Sequence, residues 1–147
     1  MILRLVFLLF ASCTLAACAT GAAFTAVEPA PAEHAQVVFY RKFNIVGAVR
    51  THELRSDGKV LGAAINGGFF SAMLPPGRRT VFGEGCAPAP LNVNVEAGRT
   101  YFVEAMVGGT YLGDGTTLHT WQFACGLALR DSNVALEALK SLRLSGS

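Results

Sequence analysis

Turn motifs at short intervals are the feature that most limits how the middle of this chain can fold. The motifs are Asp57-Gly58, Asn66-Gly67-Gly68 and Pro75-Pro76-Gly77. An Asp-Gly pair between apolar segments favours a tight hairpin turn because both central residues need positive φ angles, and Pro followed by Gly suits a type II turn. The segments between these turns are rich in β-branched and aromatic residues and are too short for helices. Consecutive hairpins are therefore predicted.

The folded part is predicted to be all-β in the main. The expected strands are residues 36–41, 48–54, 60–65, 69–74, 78–82, 91–96, 100–107 and 119–129. Strands separated by turns about every 8–12 residues favour an antiparallel β-sandwich, prealbumin- or immunoglobulin-like, over a parallel α/β sheet. The glycine-dense residues 108–115 are expected to form a loop. A short C-terminal helix is expected after Asp131-Ser132 because Leu136, Leu139 and Leu142 follow at helical spacing.

The first 17 residues have the pattern of an export signal. One cation, Arg4, precedes an apolar run from Leu5 to Leu15 that is too short to span a bilayer. Leu15-Ala16-Ala17-Cys18 then resembles the lipobox of bacterial lipoproteins, in which a peptidase cuts before a cysteine that carries lipid. This resemblance implies a signal peptide over residues 1–17 and lipid attachment at Cys18. The alternative is an ordinary signal peptide with a coincidental cysteine.

A flexible tether is predicted to follow the attachment point. Residues 18–34 are rich in Ala, Thr and Pro and lack the apolar periodicity that buries a core. The β-sandwich domain is expected over residues 35–147. Ala19 stands where an inner-membrane retention signal has aspartate, so the lipobox resemblance implies the periplasmic face of the outer membrane, with the inner membrane as the alternative.

The charge of the chain is nearly balanced, with 12 Lys and Arg against 10 Asp and Glu. A nucleic-acid partner is therefore not expected. The basic residues of the first half could form a patch for anionic lipid headgroups, but they are scattered over several elements, and a solvated surface is the favoured interpretation. These residues are Arg41, Lys42, Arg50, Arg78 and Arg79.

The chain contains four cysteines, and their expected uses differ. Cys13 leaves with the signal peptide and Cys18 carries the lipid. Cys86 and Cys125 remain as a pair in an oxidising compartment, so a disulfide between them is predicted. Two free buried thiols are the alternative.

Catalytic and metal-binding motifs are weak in this sequence. A zinc site would need Cys86, Cys125, His119 and His52 to converge, and none of them has a recognised close spacing. Gly83-Glu84-Gly85 lacks the later glycine and lysine of a phosphate loop, and a Gly-x-Ser-x-Gly nucleophile motif is absent. No catalytic residue, metal or cofactor is therefore predicted. The alternative is a small periplasmic hydrolase or metal-binding module that uses His52 and His119.

Several short motifs resemble an uncharacterised family of bacterial lipoproteins known as domain of unknown function 2846. The matching pieces are Val38-Phe39-Tyr40-Arg41, Asp57-Gly58-Lys59, Leu61-Gly62, Asn66-Gly67-Gly68-Phe69-Phe70, Leu74-Pro75-Pro76-Gly77 and Val95-Glu96-Ala97-Gly98-Arg99-Thr100-Tyr101-Phe102. The resemblance implies a β-sandwich and an envelope location, but no activity. The expected function is a non-enzymatic scaffold or binding module, anchored to the membrane through Cys18, with an envelope protein or the cell wall as partner.

Overall fold

A computed structural model describes residues 19–86, 90–112 and 120–145. Within these ranges the chain forms nine strands and one helix. In chain order they are β1 (Ala35–Arg41), β2 (His52–Ser56), β3 (Lys59–Ala64), β4 (Gly68–Leu74), β5 (Gly77–Gly83), β6 (Leu91–Val95), β7 (Thr100–Leu112), β8 (Thr120–Arg130), α1 (Ser132–Leu139) and β9 (Arg143–Leu144). In this part of the chain, no helix has the length and apolar character needed to cross a bilayer.

The strands form two packed sheets. One sheet has the order β8-β7-β1-β4-β9 and the other has the order β3-β2-β5-β6. Most neighbouring strands are antiparallel, as expected from the hairpin turns. The pairs β1–β7 and β4–β9 are parallel. The predicted fold class, a mainly antiparallel β-sandwich with a short C-terminal helix, is thus confirmed.

Strand β1 is buried on both faces, as its composition predicts. Alternate residues of a strand point to opposite faces, so Val37 and Phe39 contribute to the core between the sheets. Val38 and Tyr40 lie on the other face of β1 and belong to a second core cluster, which also contains Leu139 of α1. The helix therefore covers the outer face of the five-stranded sheet.

The N-terminal segment packs on the domain, which differs from the expected flexible tether. Ala23 forms a β-bridge with Arg143. The ring of Phe24 contacts that of Phe69 edge-on, with centroids 5.5 Å apart, and Val27 packs on the same cluster. Two apolar residues in an Ala/Pro-rich segment are enough to dock it because β9 offers an unpaired backbone edge for hydrogen bonding.

Two strands, β2 and β7, differ from their predicted bounds by more than one residue. Strand β2 begins at His52 rather than at residue 48, and residues 42–51 form an irregular loop with turns. Strand β7 continues through Gly108 and Gly109, which pair with β8. A strand ladder needs only the backbone, so glycine density did not prevent pairing there. Residues 113–115 of the expected loop lie outside the described part of the chain, as do residues 116–119.

Candidate functional site

A disulfide between Cys86 and Cys125 joins the two sheets. Cys125 lies in the edge strand β8, whereas Cys86 follows β5 of the other sheet. Their Cα atoms are 4.3 Å apart and they are 39 residues apart in sequence. The predicted bond is confirmed, and the alternative of two free thiols is wrong. In the loop-entropy description, a cross-link over such a loop stabilises the fold by about 4 kcal/mol.

Two glycines shape the turn that carries Cys86. A Cβ atom added to Gly83 would overlap Sγ of Cys86, so the absence of a side chain permits this close approach. Gly85 adopts a left-handed backbone conformation with φ of 72°. The N–H of Cys86 donates to the carbonyl of Gly83 at 2.9 Å and closes the turn. Gly83-Glu84-Gly85 is therefore a tight turn that positions the disulfide.

His52 lies next to this disulfide. His52 is the first residue of β2 and is only 7% exposed. Nδ1 lies 2.9 Å from the backbone oxygen of Glu84. A carbonyl oxygen only accepts hydrogen bonds, so this contact places the ring proton on Nδ1. Nε2 is buried and has no hydrogen-bond partner among the residues described.

One ring nitrogen of His52 and the two cysteine sulfurs lie within 4.8 Å of one another. The pairing of β2 with β5 produces this cluster, since the N–H of Glu84 continues the ladder by donating to the carbonyl of Glu53 at 2.8 Å. Three of the four residues considered as zinc ligands thus converge. His119 and Cys18 both lie outside the described residues, so the structure does not describe the His52 and His119 pair or the lipid attachment site.

Arg41 does not belong to the solvated basic surface that the sequence suggested. It is 1% exposed at the end of β1. Its Nη2 donates to the carbonyl of Gly47 at 2.8 Å, and its Nη1 donates to the carbonyls of Arg50 and Ala64. The buried guanidinium therefore holds the loop of residues 42–51 in place. Hydrogen bonds to three carbonyls explain how a cation is accommodated there.

The same loop is linked to the beginning of the described chain through Asn66, which is fully buried. The side-chain oxygen of Asn66 accepts from the N–H of Asn44 at 2.9 Å. Its backbone oxygen accepts from the N–H of Ala19 at 3.2 Å. Ala19 therefore lies at the base of the 42–51 loop.

The 42–51 loop exposes three large apolar side chains. Phe43 is 63% exposed, Ile45 81% and Val49 82%, which are the highest values for large apolar residues in the described chain. Exposed apolar groups that cluster on one loop indicate a contact surface. We call Phe43, Ile45 and Val49 the apolar loop tip.

A buried carboxylate lies behind this loop. Glu104 of β7 contacts Nζ of Lys42 at 3.1 Å and Nε of Arg130 at 2.7 Å. Burial raises the pKa of the Tyr40 phenol to about 12, and the negative charge of Glu104 contributes to the same shift. Sequence reasoning missed this charge cluster because Lys42, Glu104 and Arg130 are far apart in sequence and meet only through the β1–β7–β8 pairing.

A groove follows the free edge of β3. Among the described residues, β3 pairs only with β2, on one side. Two cavities, of about 430 and 420 Å³, lie along this edge. Both are lined by Val60, Leu61 and Ser71. Besides the apolar loop tip, the edge of β3 is therefore a second surface that could bind a partner.

Comparison with known proteins identifies the family of this chain but no activity. No curated protein and no solved structure matches this chain. The sequence profile described as "Protein of unknown function (DUF2846)" matches residues 31–111, which is more than half of the chain. The match includes β1 to β6, most of β7, the 42–51 loop and the turn that carries Cys86. The chain therefore belongs to the DUF2846 family.

Proposed function

We propose that this chain is a lipid-anchored lipoprotein of the bacterial cell envelope whose β-sandwich is a non-enzymatic scaffold or binding module. The lipobox-like Leu15-Ala16-Ala17-Cys18 supports lipid attachment at Cys18. Burial of each CH2 of an acyl chain contributes about 0.8 kcal/mol, so several chains on one cysteine would anchor the protein permanently. Ala19 after the cysteine supports the periplasmic face of the outer membrane.

The observation that carries this proposal is the position of Ala19 at the base of the loop that presents the apolar loop tip. Asn66 binds Ala19 and Asn44 at the same time, so the residue after Cys18 lies at the base of the loop. A lipid on Cys18 would bring this side of the domain against the bilayer. The apolar loop tip would then contact the lipid interface rather than water, which removes the cost of exposing it.

Charge compensation within the fold gives the buried carboxylate on this side of the domain a structural role. The carboxylate of Glu104 is held by Lys42 and Arg130, so its charge is already balanced by two protein cations. A carboxylate held in this way is a structural group. The domain would act as a rigid body close to the membrane.

The free edge of β3 is the proposed partner site. An edge strand offers unpaired N–H and C=O groups, to which an extended peptide can add as a further strand. Side chains of an added strand alternate in direction, and the two cavities beside Val60 would receive those that point inward. We propose an extended segment of an envelope protein as the partner.

Lipid labelling tests the anchor. Cells that express the wild-type chain or Cys18→Ser receive a palmitate analogue that can be detected after coupling to a dye. We expect labelled protein in the membrane fraction for the wild type, and neither label nor membrane retention for Cys18→Ser. Cys13→Ser is the matched control and keeps both. Equal membrane retention of Cys18→Ser would refute the anchor.

Membrane contact of the loop has its own test. A fluorophore that responds to polarity is attached to a cysteine introduced at Ile45 or, as the control, at the exposed Val134 of α1. In vesicles that contain the acylated protein, we expect a blue-shifted spectrum at residue 45 only. Identical spectra at both positions would contradict this orientation even if acylation is confirmed.

Site-specific crosslinking tests the partner site. A photoreactive residue replaces Val60 at the β3 edge or Val134 on the helix, since both are about half exposed. Crosslinks to a defined envelope protein from position 60, but not from position 134, are expected. Equal products from the two positions, or crosslinks only to glycan, would exclude a strand-edge protein partner.

A further inference from the structure

We propose that reduction of the Cys86–Cys125 disulfide creates a binding site for a thiophilic d10 cation, zinc(II) or copper(I), with Cys86, Cys125 and His52 as its ligands. Thiolate and imidazole are the ligands that these ions prefer. While the disulfide is intact, the two sulfurs are bonded to each other and the site cannot bind the metal ion. This inference concerns the corner between β2, β5 and β8, and it does not depend on the lipid anchor.

The three side chains already lie close enough for this coordination. Their ligand atoms lie within 4.8 Å of one another. Around a tetrahedral zinc ion with bonds of about 2.3 Å to sulfur and about 2.0 Å to nitrogen, ligand atoms are separated by about 3.5–3.8 Å. Once the disulfide opens, the two sulfurs need to separate by about 1.8 Å and the imidazole needs to approach them. Side-chain rotation can supply such movements.

The hydrogen bond of His52 prepares it as a ligand. A histidine that binds a metal through one nitrogen usually donates its other N–H to a carbonyl or carboxylate, which fixes the tautomer and the ring orientation. Nδ1 of His52 has such a contact, with the backbone oxygen of Glu84 at 2.9 Å. The lone pair is therefore on Nε2, which is buried and has no hydrogen-bond partner among the described residues.

An unused acceptor in a buried position calls for an explanation. Burying a polar atom without a partner costs about 1–3 kcal/mol. At His52 this cost falls on a side chain that lies beside two cysteines, whereas an apolar side chain would pack on a disulfide without the cost. A metal ion that binds after reduction would give Nε2 a partner. The proposed site thus accounts for a feature that the disulfide alone leaves unexplained.

Formation of the site takes two steps, reduction of the disulfide and binding of the metal ion. A dithiol reductant exchanges with the disulfide, so the Cys86–Cys125 bond breaks, the disulfide of the reductant forms, and two electrons with two protons pass to the cysteine sulfurs. Binding of a zinc ion then releases both thiol protons and leaves two thiolates and one neutral imidazole on the metal. Cys86 is half-buried, while Cys125 and His52 are buried, so the reductant and the metal would enter from the Cys86 side.

Zinc titration of the full chain tests the proposal. Cys13→Ser and Cys18→Ser are introduced so that N-terminal thiols do not contribute. The protein is reduced anaerobically with a phosphine and then competes with a chromophoric zinc indicator. We expect the reduced protein to take one equivalent of zinc and the oxidised protein none. Copper(I) in a matched competition identifies which of the two ions binds more tightly.

Variants of the histidines show whether the imidazole takes part. His52→Gln is expected to weaken zinc binding by at least about tenfold, since even residues that only orient a ligand cost 10–100-fold. His34→Gln, at an exposed position, is the control and leaves the affinity unchanged. His52→Cys restores a soft ligand and is expected to bind zinc and to add a third thiolate to the near-ultraviolet absorption of the cobalt(II) form.

Circular dichroism of each oxidised, reduced and zinc-loaded form shows whether a change in zinc binding comes from unfolding. If the reduced protein loses structure, one equivalent of zinc is expected to restore it, because binding to the folded state shifts the folding equilibrium. Three outcomes would overturn the proposal: equal zinc uptake by the oxidised and reduced proteins, equal affinity of His52→Gln and the wild type, or a reduced protein that neither binds zinc nor refolds with it.

Discussion

The guanidinium of Arg41 donates a hydrogen bond to the carbonyl oxygen of Gly47 at 2.8 Å, across a loop that otherwise has little regular structure. Because further bonds reach Arg50 and Ala64, one buried side chain connects the end of β1 to the loop and to the end of β3. The loop that presents the apolar tip is therefore held from inside the domain. Its order depends on a cation that solvent does not reach.

Replacement of Arg41 by Met is expected to lower the free energy of unfolding by about 2–4 kcal/mol, because three carbonyls lose a charged donor. Chymotrypsin is also expected to cut faster after Phe43 when the loop loses its support. Urea unfolding and limited proteolysis measure the two effects. Arg78→Met, at an exposed position, is the control and should change neither. A loop that stays resistant to the protease in Arg41→Met would contradict this role.

Replacement of Phe24 by Ala should release the N-terminal segment from the domain. The half-buried ring packs on Phe69, so we expect a loss of about 1–2 kcal/mol, below the cost at a fully buried site. Hydrogen exchange of the Gly21 and Phe24 amides, which donate to carbonyls near β9, reports the release directly. Val134→Ala on the exposed face of the helix serves as the control. Rapid exchange of both amides in the wild type would show that the segment is a free tether.

Replacement of Gly62 by Ala is expected to disturb the core beside β3. A Cβ atom at this position would lie 2.6 Å from the ring of Phe70, which itself stacks on Phe39. Such overpacking typically costs about 1–3 kcal/mol, the φ of 157° at Gly62 adds backbone strain for alanine, and urea unfolding measures the two together. Gly108→Ala in β7 is the matched control, because a Cβ atom there has no neighbour within 4 Å. Equal stability of the two variants would mean that Phe70 moves without cost.

Ionisation of Tyr40 should make the fold less stable at high pH. The pKa of this phenol is raised from 10.0 to about 12, mainly by burial. As the pH rises from 10 to 12, the unfolded chain loses the phenol proton while the folded chain keeps it, so the free energy of unfolding falls. Below pH 10 both states are protonated and this contribution is constant. Urea unfolding of the wild type and of Tyr40→Phe at pH 10 and pH 12 measures the difference, and an equal decline in both would exclude Tyr40 as its source.

Local signals in the sequence were sufficient to predict the hairpins and the helix. Asp57 has a φ of 50° and Gly58 a φ of 76°, which are the left-handed angles that an Asp-Gly turn requires. The helix begins at Ser132, directly after its N-cap residue Asp131, and it buries Leu139 of the predicted apolar stripe. These elements depend on residues that are neighbours in the chain, so their chemistry can be read directly from the sequence.

Features that depend on distant pairing could not be read in this way. The approach of His52 to Cys86 follows from the pairing of β2 with β5, which skips two intervening strands. Burial of Arg41 was hidden because the carbonyls that it binds lie in a loop and in another sheet. The Ala/Pro-rich N-terminal segment looked mobile because only two apolar residues dock it. The disulfide was predictable because exactly two cysteines remained after the signal and the anchor were assigned, so no pairing geometry was needed.

The parallel pairing of β1 with β7 has a consequence for the order in which the chain can fold. Gln36 pairs with Thr100, although the two are 64 residues apart in sequence, and all strands of the second sheet lie between them in the chain. In a chain that emerges N-terminus first, β1, whose residues are all buried in the fold, therefore has one unpaired edge until β7 arrives. Contacts this distant in sequence slow folding and produce intermediates that tend to aggregate. We expect holding chaperones to be needed during this interval, and a chain truncated before Thr100 to aggregate rather than to form a smaller domain.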